Sequence, residues 1–132
     1  MSITYYRDRL PSIEQIIDVY RSAGLVRPLN DLARMAKMFQ HSNLVLTAWD
    51  GDQIVGIARS VTDFCYCCYV SDLGVRQEYQ RQGIGKQLLA LTKEAIGEES
   101  MLLLRAAPDA MTYYPRLQME VVNNGFIWKR TK

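Results

Sequence analysis

The chain has 132 residues, of which 48% are hydrophobic and 23% are charged, and its formal net charge is +2. This length and composition predict a single globular domain, spanning 1–132, with one core. The small net charge argues against nucleic acid as a partner. No apolar run approaches the roughly 20 residues of a membrane span, so no membrane partner is expected.

The three cysteines lie together in the segment Cys65-Tyr66-Cys67-Cys68. This odd number does not indicate a disulfide framework, and the N-terminus lacks the pattern of a signal peptide. We therefore expect a reducing, cytoplasmic location. Zinc prefers four ligands, and the one histidine, His41, lies far from the cysteines in sequence, so no metal site is expected.

The first part of the chain predicts a short strand at residues 3–6 and then two helices. Ser12 and Gln15 have the spacing of a capping box at the start of the first helix, and Gly24 is placed to end it. A second helix is predicted to begin near Asn30 or Asp31. A strand and two helices therefore precede the main run of strands.

Three strands are predicted next, at residues 44–49, 53–62 and 66–75. The pair Asp50-Gly51 is a hairpin turn signal, and three strands in succession suggest an antiparallel meander. Gly74 lies inside the third strand, where a glycine often marks a bulge or a close backbone approach. A tolerated small residue is the simpler alternative for Gly74.

A glycine-containing loop follows the third strand, with the sequence Gln80-Arg81-Gln82-Gly83-Ile84-Gly85-Lys86. It opens an amphipathic helix that is predicted to run to Ile96. The start of a helix presents unpaired N–H groups and a partial positive charge, and glycines let an anion approach the backbone. These residues predict a pyrophosphate site, although glycines that only make the turn are the alternative. The loop is neither a nucleotide P-loop nor a dinucleotide fingerprint, because it lacks their further residues.

The last third of the chain predicts a buried strand at 101–106, parallel to its predecessor, and a helix near 111–117. Pro115 lies within that helix and is expected to delay or distort it. Two short strands, at 120–122 and 126–128, are predicted on either side of an Asn-Asn-Gly turn signal.

The loop resembles the acetyl-CoA-binding motif of the GCN5-related N-acetyltransferase (GNAT) family. Two flanking segments add to the resemblance, Asp72-Leu73-Gly74-Val75 before the loop and the run from Tyr113 to Met119 after it. The order of predicted elements extends it over nearly the whole chain. The resemblance implies a GNAT-like α/β (α+β) fold with a mixed, mostly antiparallel sheet of about six or seven strands and helices on both faces.

The resemblance implies an acetyl-CoA-dependent N-acetyltransferase that acts on a primary amine of a small molecule or a peptide by direct attack on the thioester. A non-catalytic module that senses acyl-CoA is a second hypothesis, and an interaction domain with an incidental Gly-x-Gly is a third. The expected cosubstrate is acetyl-CoA, with no metal. An exposed edge beyond Trp128 also suggests a homodimer.

The resemblance also assigns the residues that would bind the cosubstrate. A bulge at Gly74 would expose backbone groups to the pantetheine arm, which would pair with them like an added strand. Asp109 stands where many relatives carry an asparagine near this arm. The expected cosubstrate-binding residues are Leu73, Gly74, Val75, Gln80, Arg81, Gln82, Gly83, Ile84, Gly85, Lys86 and Asp109.

Tyr114 matches the tyrosine of the family's Phe-Tyr-x-x-x-Gly-Phe pattern and is the predicted proton donor to the departing thiolate. Tyr113 is then expected to be a packing residue. Gln118 and Met119 replace the usual glycine and phenylalanine, so the turn after this helix is expected to differ.

The base that removes the proton of the amine is open to several interpretations. Asp72 is the first candidate because it lies beside the proposed bulge. Asp63 and Glu120 are alternatives, and a water relay is another. In the family, the connector between the first two helices overhangs the acceptor, so Arg27, Leu29 and Met35 are candidate lining residues. Packing is an equally good interpretation for each of these three.

Overall fold

The computed structural model describes residues 2–132 and has one sheet with helices on both faces. The strands are β1 (Thr4–Tyr6), β2 (Leu44–Asp50), β3 (Gln53–Thr62), β4 (Cys68–Val75) and β5 (Leu103–Leu104), and the α-helices are α1 (Ile13–Ala23), α2 (Leu32–Gln40) and α3 (Ile84–Ile96). The described helices include none that is long and apolar enough to cross a membrane.

The sheet has the strand order β1-β2-β3-β4-β5. The first four strands pair antiparallel, whereas β5 runs parallel to β4, with α3 as the connection between them. The predicted mixed, mostly antiparallel sheet is therefore confirmed, with five strands where about six or seven were expected.

The helix ends follow the local sequence signals. Ser12 and Gln15 form the complete capping box, and Gly24 ends α1 with a left-handed φ of 77°. Asp31 caps α2 through its side chain. These signals were correctly predicted because each depends on neighbouring residues alone.

Two apolar clusters hold the helices on the sheet. The cluster on one face joins α3 to the strands through Ile84, Leu88 and Ile96. The cluster on the other face joins α1 and α2 to the sheet and includes Tyr20 and Met35. The sheet is consequently covered on both faces, as the sequence predicted.

The C-terminal predictions were wrong in three places. The predicted strand at 101–106 is reduced to Leu103–Leu104. The predicted helix at 111–117 is replaced by short 3₁₀ turns, because Pro115 removes an N–H donor and Gln118 turns left-handed with a φ of 64°. The predicted strands at 120–122 and 126–128 do not form, and their backbone pairs with no other segment within residues 2–132.

Gly56 on β3 lets α3 pack closely on the sheet. A Cβ added there would lie 3.0 Å from Leu88 Cδ1 and 3.1 Å from Ile84 Cγ2. We predict that Gly56→Val lowers the free energy of unfolding by about 1–3 kcal/mol, because the added methyl groups overpack this contact. Denaturant titration would measure the change.

Gly125→Val is the matched control, because a Cβ at Gly125 meets nothing within 4 Å and its φ is not in the left-handed region. An equal loss of stability in both variants would contradict the close packing of α3 on β3.

Candidate active site

Strands β4 and β5 part soon after they meet. β4 pairs with β3 from Cys68 to Val75, except at Ser71, but it pairs with β5 only at Tyr69 and Val70. Within residues 2–132 no strand pairs with that side of β4 after Val70. The backbone of residues 71–75 therefore faces an open gap, which we call the β4–β5 gap.

A β-bulge lies where the two strands part. Arg59 pairs with Asp72 and Ser60 pairs with Val70, so Ser71 is an extra residue on β4. A bulge bends its strand and increases the local twist, which turns β4 away from β5. The prediction of a bulge in this strand was right, but its assignment to Gly74 was wrong, because Gly74 pairs in regular register with Ile57.

Gly74 lets the end of α1 pack closely against the sheet. A Cβ added at this position would lie 2.8 Å from Leu25 Cδ1 and 3.0 Å from Ala23 Cβ. The neighbouring side chains of Leu73 and Val75 pack on the opposite face, against the cluster under α3. This is the alternation that strand geometry predicts for residues 72–75.

The loop after β4 presents backbone amides at the start of α3. Gly83 is the residue before the first turn and has a left-handed φ of 82°, and Arg81 has a positive φ of 65°. The amides of residues 81–86 donate no hydrogen bond to any acceptor within the described part of the chain. We call these six amides the anion cradle, because unpaired N–H groups at a helix start favour an anion.

The anion cradle is joined to the end of β4. The side-chain amide of Gln80 donates a hydrogen bond of 2.9 Å to the carbonyl oxygen of Val75. The side chains of Arg81 and Lys86 are exposed beside it and add positive charge. The gap and the cradle are therefore continuous along the chain.

Tyr113 lies at the first turn of α3, although sequence reasoning assigned it to packing. Its hydroxyl oxygen would be 3.4 Å from a Cβ added at Gly85, and Val75 Cγ2 would be 3.7 Å away. The signal in the sequence was only that adjacent tyrosines point in different directions. The 3₁₀ turns decide which of the two tyrosines points toward the cradle. The sequence predicted a helix in their place, so it could not show that this residue is Tyr113.

Tyr114 is half-buried and packs against the cluster under α3. Its ring meets that of Tyr113 edge-on, with the ring centroids 5.1 Å apart. Burial raises the pKa of Tyr114, with a smaller contribution from Tyr113, so the phenol is protonated at neutral pH. Tyr114 also lines a groove of about 870 Å³ between α3 and β5.

Asp72 is buried on the face of the sheet opposite α3, and both of its carboxylate oxygens accept hydrogen bonds. Its carboxylate accepts hydrogen bonds from Arg59 Nε at 2.5 Å, from Arg27 Nε at 2.6 Å and from the Tyr20 hydroxyl at 2.6 Å. Burial alone raises the pKa of Asp72, but the hydrogen bonds from Arg59 and Tyr20 and the two arginine charges outweigh it, so the pKa is lowered. A carboxylate held in this way is a weak base at neutral pH.

Arg27 carries this network to the connector between α1 and α2. Its other guanidinium nitrogens donate to the carbonyl oxygens of Val26 and Ser71, at 2.7 Å and 2.9 Å. The arginine therefore ties the connector to the bulge. Leu29 and Met35, the other predicted acceptor contacts, pack in the cluster under α1 and α2.

The other acidic residues predicted at the site are Asp63, Glu120 and Asp109. The Asp63 carboxylate accepts hydrogen bonds from the backbone amides of residues 65, 66 and 67, which lower its pKa and fix a turn. Glu120 and Asp109 are exposed. The described residues contain no group of three or more His, Cys, Asp or Glu side chains that could hold a metal ion.

Comparison with known proteins identifies the family. The profile of the acetyltransferase (GNAT) domain matches residues 17–127. The chain belongs to the GNAT family. A comparison with curated proteins gives no significant match.

Solved structures share the GNAT fold over nearly the whole length of the chain. A GNAT acetyltransferase from Streptococcus pneumoniae is 26% identical, with a TM-score of 0.77, and 99% of this chain and 100% of that chain are covered. A probable acetyltransferase from Staphylococcus aureus is 18% identical, with a TM-score of 0.84 and coverage of 98% and 99%. An aminoglycoside N-acetyltransferase in complex with CoA is 13% identical, with a TM-score of 0.72 and coverage of 99% and 96%.

We predict that Asp72→Asn lowers the free energy of unfolding of this GNAT domain by about 3–5 kcal/mol, because it leaves the buried Arg59 unpaired. The lowered pKa of Asp72 gives stability that is present above its unfolded value of 3.8 and is lost as the pH falls further. Denaturant titrations from neutral to acidic pH should therefore show the difference between variant and parent shrinking in acid.

Asp52→Asn is the control, because the Asp52 side chain is exposed and lies 3.9 Å from Arg9 in a surface ion pair. If Asp72→Asn lowers the free energy of unfolding as little as Asp52→Asn does, the Asp72 network contributes little to stability.

Proposed function

We propose that this GNAT protein transfers an acetyl group from acetyl-CoA to a primary amine. The observation that carries the proposal is the continuity of the anion cradle with the β4–β5 gap. An anionic cosubstrate with a long amide-containing arm fits such a site, because phosphates suit helix amides and amides suit an unpaired strand edge.

The cradle would hold the linked phosphates of CoA through the amides of residues 81–86. Arg81 and Lys86 add charge that favours the same anion. The backbone of Leu73 and Val75 would pair with the pantetheine arm. A backbone N–H in the gap would polarise the thioester carbonyl and stabilise the oxyanion that forms on attack.

We assign the proton donor to Tyr114. Burial keeps its phenol protonated at neutral pH, which a donor to the departing thiolate requires. Tyr113 is assigned to binding, since its hydroxyl is close to Gly85 at the phosphate end of the site.

The amine must lose a proton before or during its attack. The lowered pKa and full engagement of Asp72 favour a relay of water over direct abstraction by this carboxylate. Asp72 then acts as a positioning residue that holds Arg27 and the α1–α2 connector. A small-molecule amine and a peptide amine are both compatible with this arrangement.

We predict that Gly83→Ala weakens CoA binding about tenfold by calorimetry, because its methyl group occupies the open space in front of the cradle amides. Gly24→Ala is the matched control, because Gly24 is also left-handed, with a φ of 77° and a ψ of 21°, and is also unobstructed, but it ends α1. Both variants lose stability, since left-handed backbone is costly for alanine.

Equal CoA affinity in the two variants would contradict the cradle. A parent protein that binds no CoA would remove the proposed function altogether.

We predict that Tyr114→Phe lowers kcat about a hundredfold and leaves the CoA affinity unchanged, because it removes only the proton donor. Tyr113→Phe should instead weaken CoA binding about fivefold with little effect on kcat, because it removes one neutral hydrogen bond. Steady-state kinetics on an amine found by a mass-spectrometric screen, with calorimetry on CoA, would measure both.

Full activity of Tyr114→Phe would refute its role as the acid. Tight CoA binding with no amine acetylated in the screen would favour the acyl-CoA sensor over the enzyme.

A further inference from the structure

Two arginines share one buried carboxylate beside the bulge on β4. Arg27 and Arg59 both bind Asp72, and within residues 2–132 no other carboxylate lies within 4 Å of either arginine. Tyr20 also binds Asp72, and burial raises the pKa of its phenol, so this partner stays neutral. Two positive charges and one negative charge leave the network with a net positive charge.

The uncompensated charge reaches the surface at Arg27. The side chain of Arg27 is 29% exposed, whereas that of Arg59 is 10% exposed. A guanidinium has five N–H groups, and three of them have acceptors here, on Asp72, Val26 and Ser71. Two N–H groups of Arg27 are therefore left without an acceptor in the described part of the chain. A guanidinium edge of this kind suits a carboxylate.

The Ser71 hydroxyl is a second donor at the same place. Its oxygen accepts a hydrogen bond of 3.0 Å from Arg59 Nη2, and its proton has no acceptor among residues 2–132. The carbonyl oxygen of Ser71 is bound by Arg27, so the guanidinium and the hydroxyl lie next to each other. Together they can donate to both oxygens of a bound carboxylate.

An apolar surface lies beside this charge on the same face of the sheet. Val61 and Tyr69 pair across β3 and β4 and are 49% and 39% exposed. Val61 lies two residues after Arg59 on β3, so strand alternation places it on the same face, about 7 Å along the strand. Neither Val61 nor Tyr69 belongs to an apolar cluster of the core. The face therefore has a charged part and an apolar part side by side.

This surface lies at the reacting end of the site in the proposed function. With the phosphates in the anion cradle, the pantetheine arm passes Val75 and then Leu73, which brings the thioester close to Ser71. The cluster under α3 covers the other face of β4 at this point. An acceptor can therefore approach the thioester from the face that carries Arg27.

We infer that the acceptor is a free amino acid with an apolar or aromatic side chain. Its carboxylate binds Arg27 and the Ser71 hydroxyl, and its side chain lies on Val61 and Tyr69. The free amine bonds to the acetyl carbon and loses one proton to water, the carbon–sulfur bond breaks, and the thiolate takes a proton from Tyr114. The inference rests on the proposed acetyl transfer and names its substrate class. The net positive charge of the network disfavours acceptors that are polycations.

The first test compares L-phenylalanine with phenethylamine, which lacks only the carboxylate, in steady-state kinetics with acetyl-CoA. We expect kcat/KM to be about tenfold higher for L-phenylalanine, because hydrogen bonds between charged groups are strong. The polycation spermidine should be the poorest substrate of the three. Acetylation of phenethylamine or spermidine in preference to L-phenylalanine overturns the inference and leaves the acetyl transfer in place. A protein that binds no CoA removes both.

Arg27→Met separates the carboxylate contact from the role of Arg27 in holding the connector. A loss of positioning lowers kcat/KM for both amines alike, whereas a lost carboxylate contact lowers the ratio of L-phenylalanine to phenethylamine, by about tenfold. Lys93→Met is the control, because it removes an equal charge from α3, on the opposite face of the sheet, and should leave the ratio unchanged. Calorimetry of L-phenylalanine with the CoA-bound protein makes the same comparison without turnover. An unchanged ratio in Arg27→Met overturns the inference.

Tyr69→Ser tests the apolar part with a residue outside the ionic network. It should lower the preference for L-phenylalanine over L-alanine about fivefold, because less apolar surface of the substrate is covered. Tyr69→Phe is the matched control and should keep the preference, since the ring remains. The same preference in Tyr69→Ser as in the parent overturns the inference.

Discussion

The parting of β4 from β5 is the feature on which the site depends. The two parallel strands pair over two residues, and the bulge at Ser71 then turns β4 away. A continuous sheet would satisfy the backbone groups of residues 71–75 with a neighbouring strand. The gap leaves backbone groups that point away from β3 available to a ligand, whereas the carbonyl oxygens of Ser71 and Val75 already accept hydrogen bonds from Arg27 and Gln80. The loop after β4 leads directly into the anion cradle.

The opposite face of β4 is fixed by a buried ionic network. Asp72 holds Arg27 and Arg59, and Arg27 also binds the carbonyl oxygen of Ser71. The charges that hold the α1–α2 connector are therefore attached to the residue that causes the bulge. Removing one partner of a buried pair of this kind is costly, because it leaves the other charge buried without a counter-charge. The same network lowers the pKa of Asp72, which makes this carboxylate a weak base at neutral pH.

Short-range signals in the sequence predicted most of the fold. The capping box at Ser12, the glycine that ends α1 and the Asp50-Gly51 turn depend on adjacent residues, and each is present in the structure. The bulge could not be placed from the sequence, because Ser71 carries no bulge signal and Gly74 does. What distinguishes them is the packing of Leu25 on Gly74, which is a contact between residues distant in sequence.

The prediction of two C-terminal strands was wrong for a different reason. The β-branched and aromatic residues on either side of Asn123-Asn124-Gly125 are a strand signal locally, but within the described residues neither segment has a partner strand. The roles of Tyr113 and Tyr114 depended on a helix that Pro115 does not allow. A local sequence pattern can therefore indicate which secondary structure a segment is able to form. Whether the segment finds a partner strand depends on contacts with distant residues.

Amide chemical shifts during a titration with CoA test the central claim most directly, because the claim concerns backbone N–H groups. The account predicts that the largest shifts in a ¹⁵N–¹H spectrum fall on residues 81–86, followed by residues 73–75. Saturating CoA that moves other amides and leaves these unchanged would contradict it.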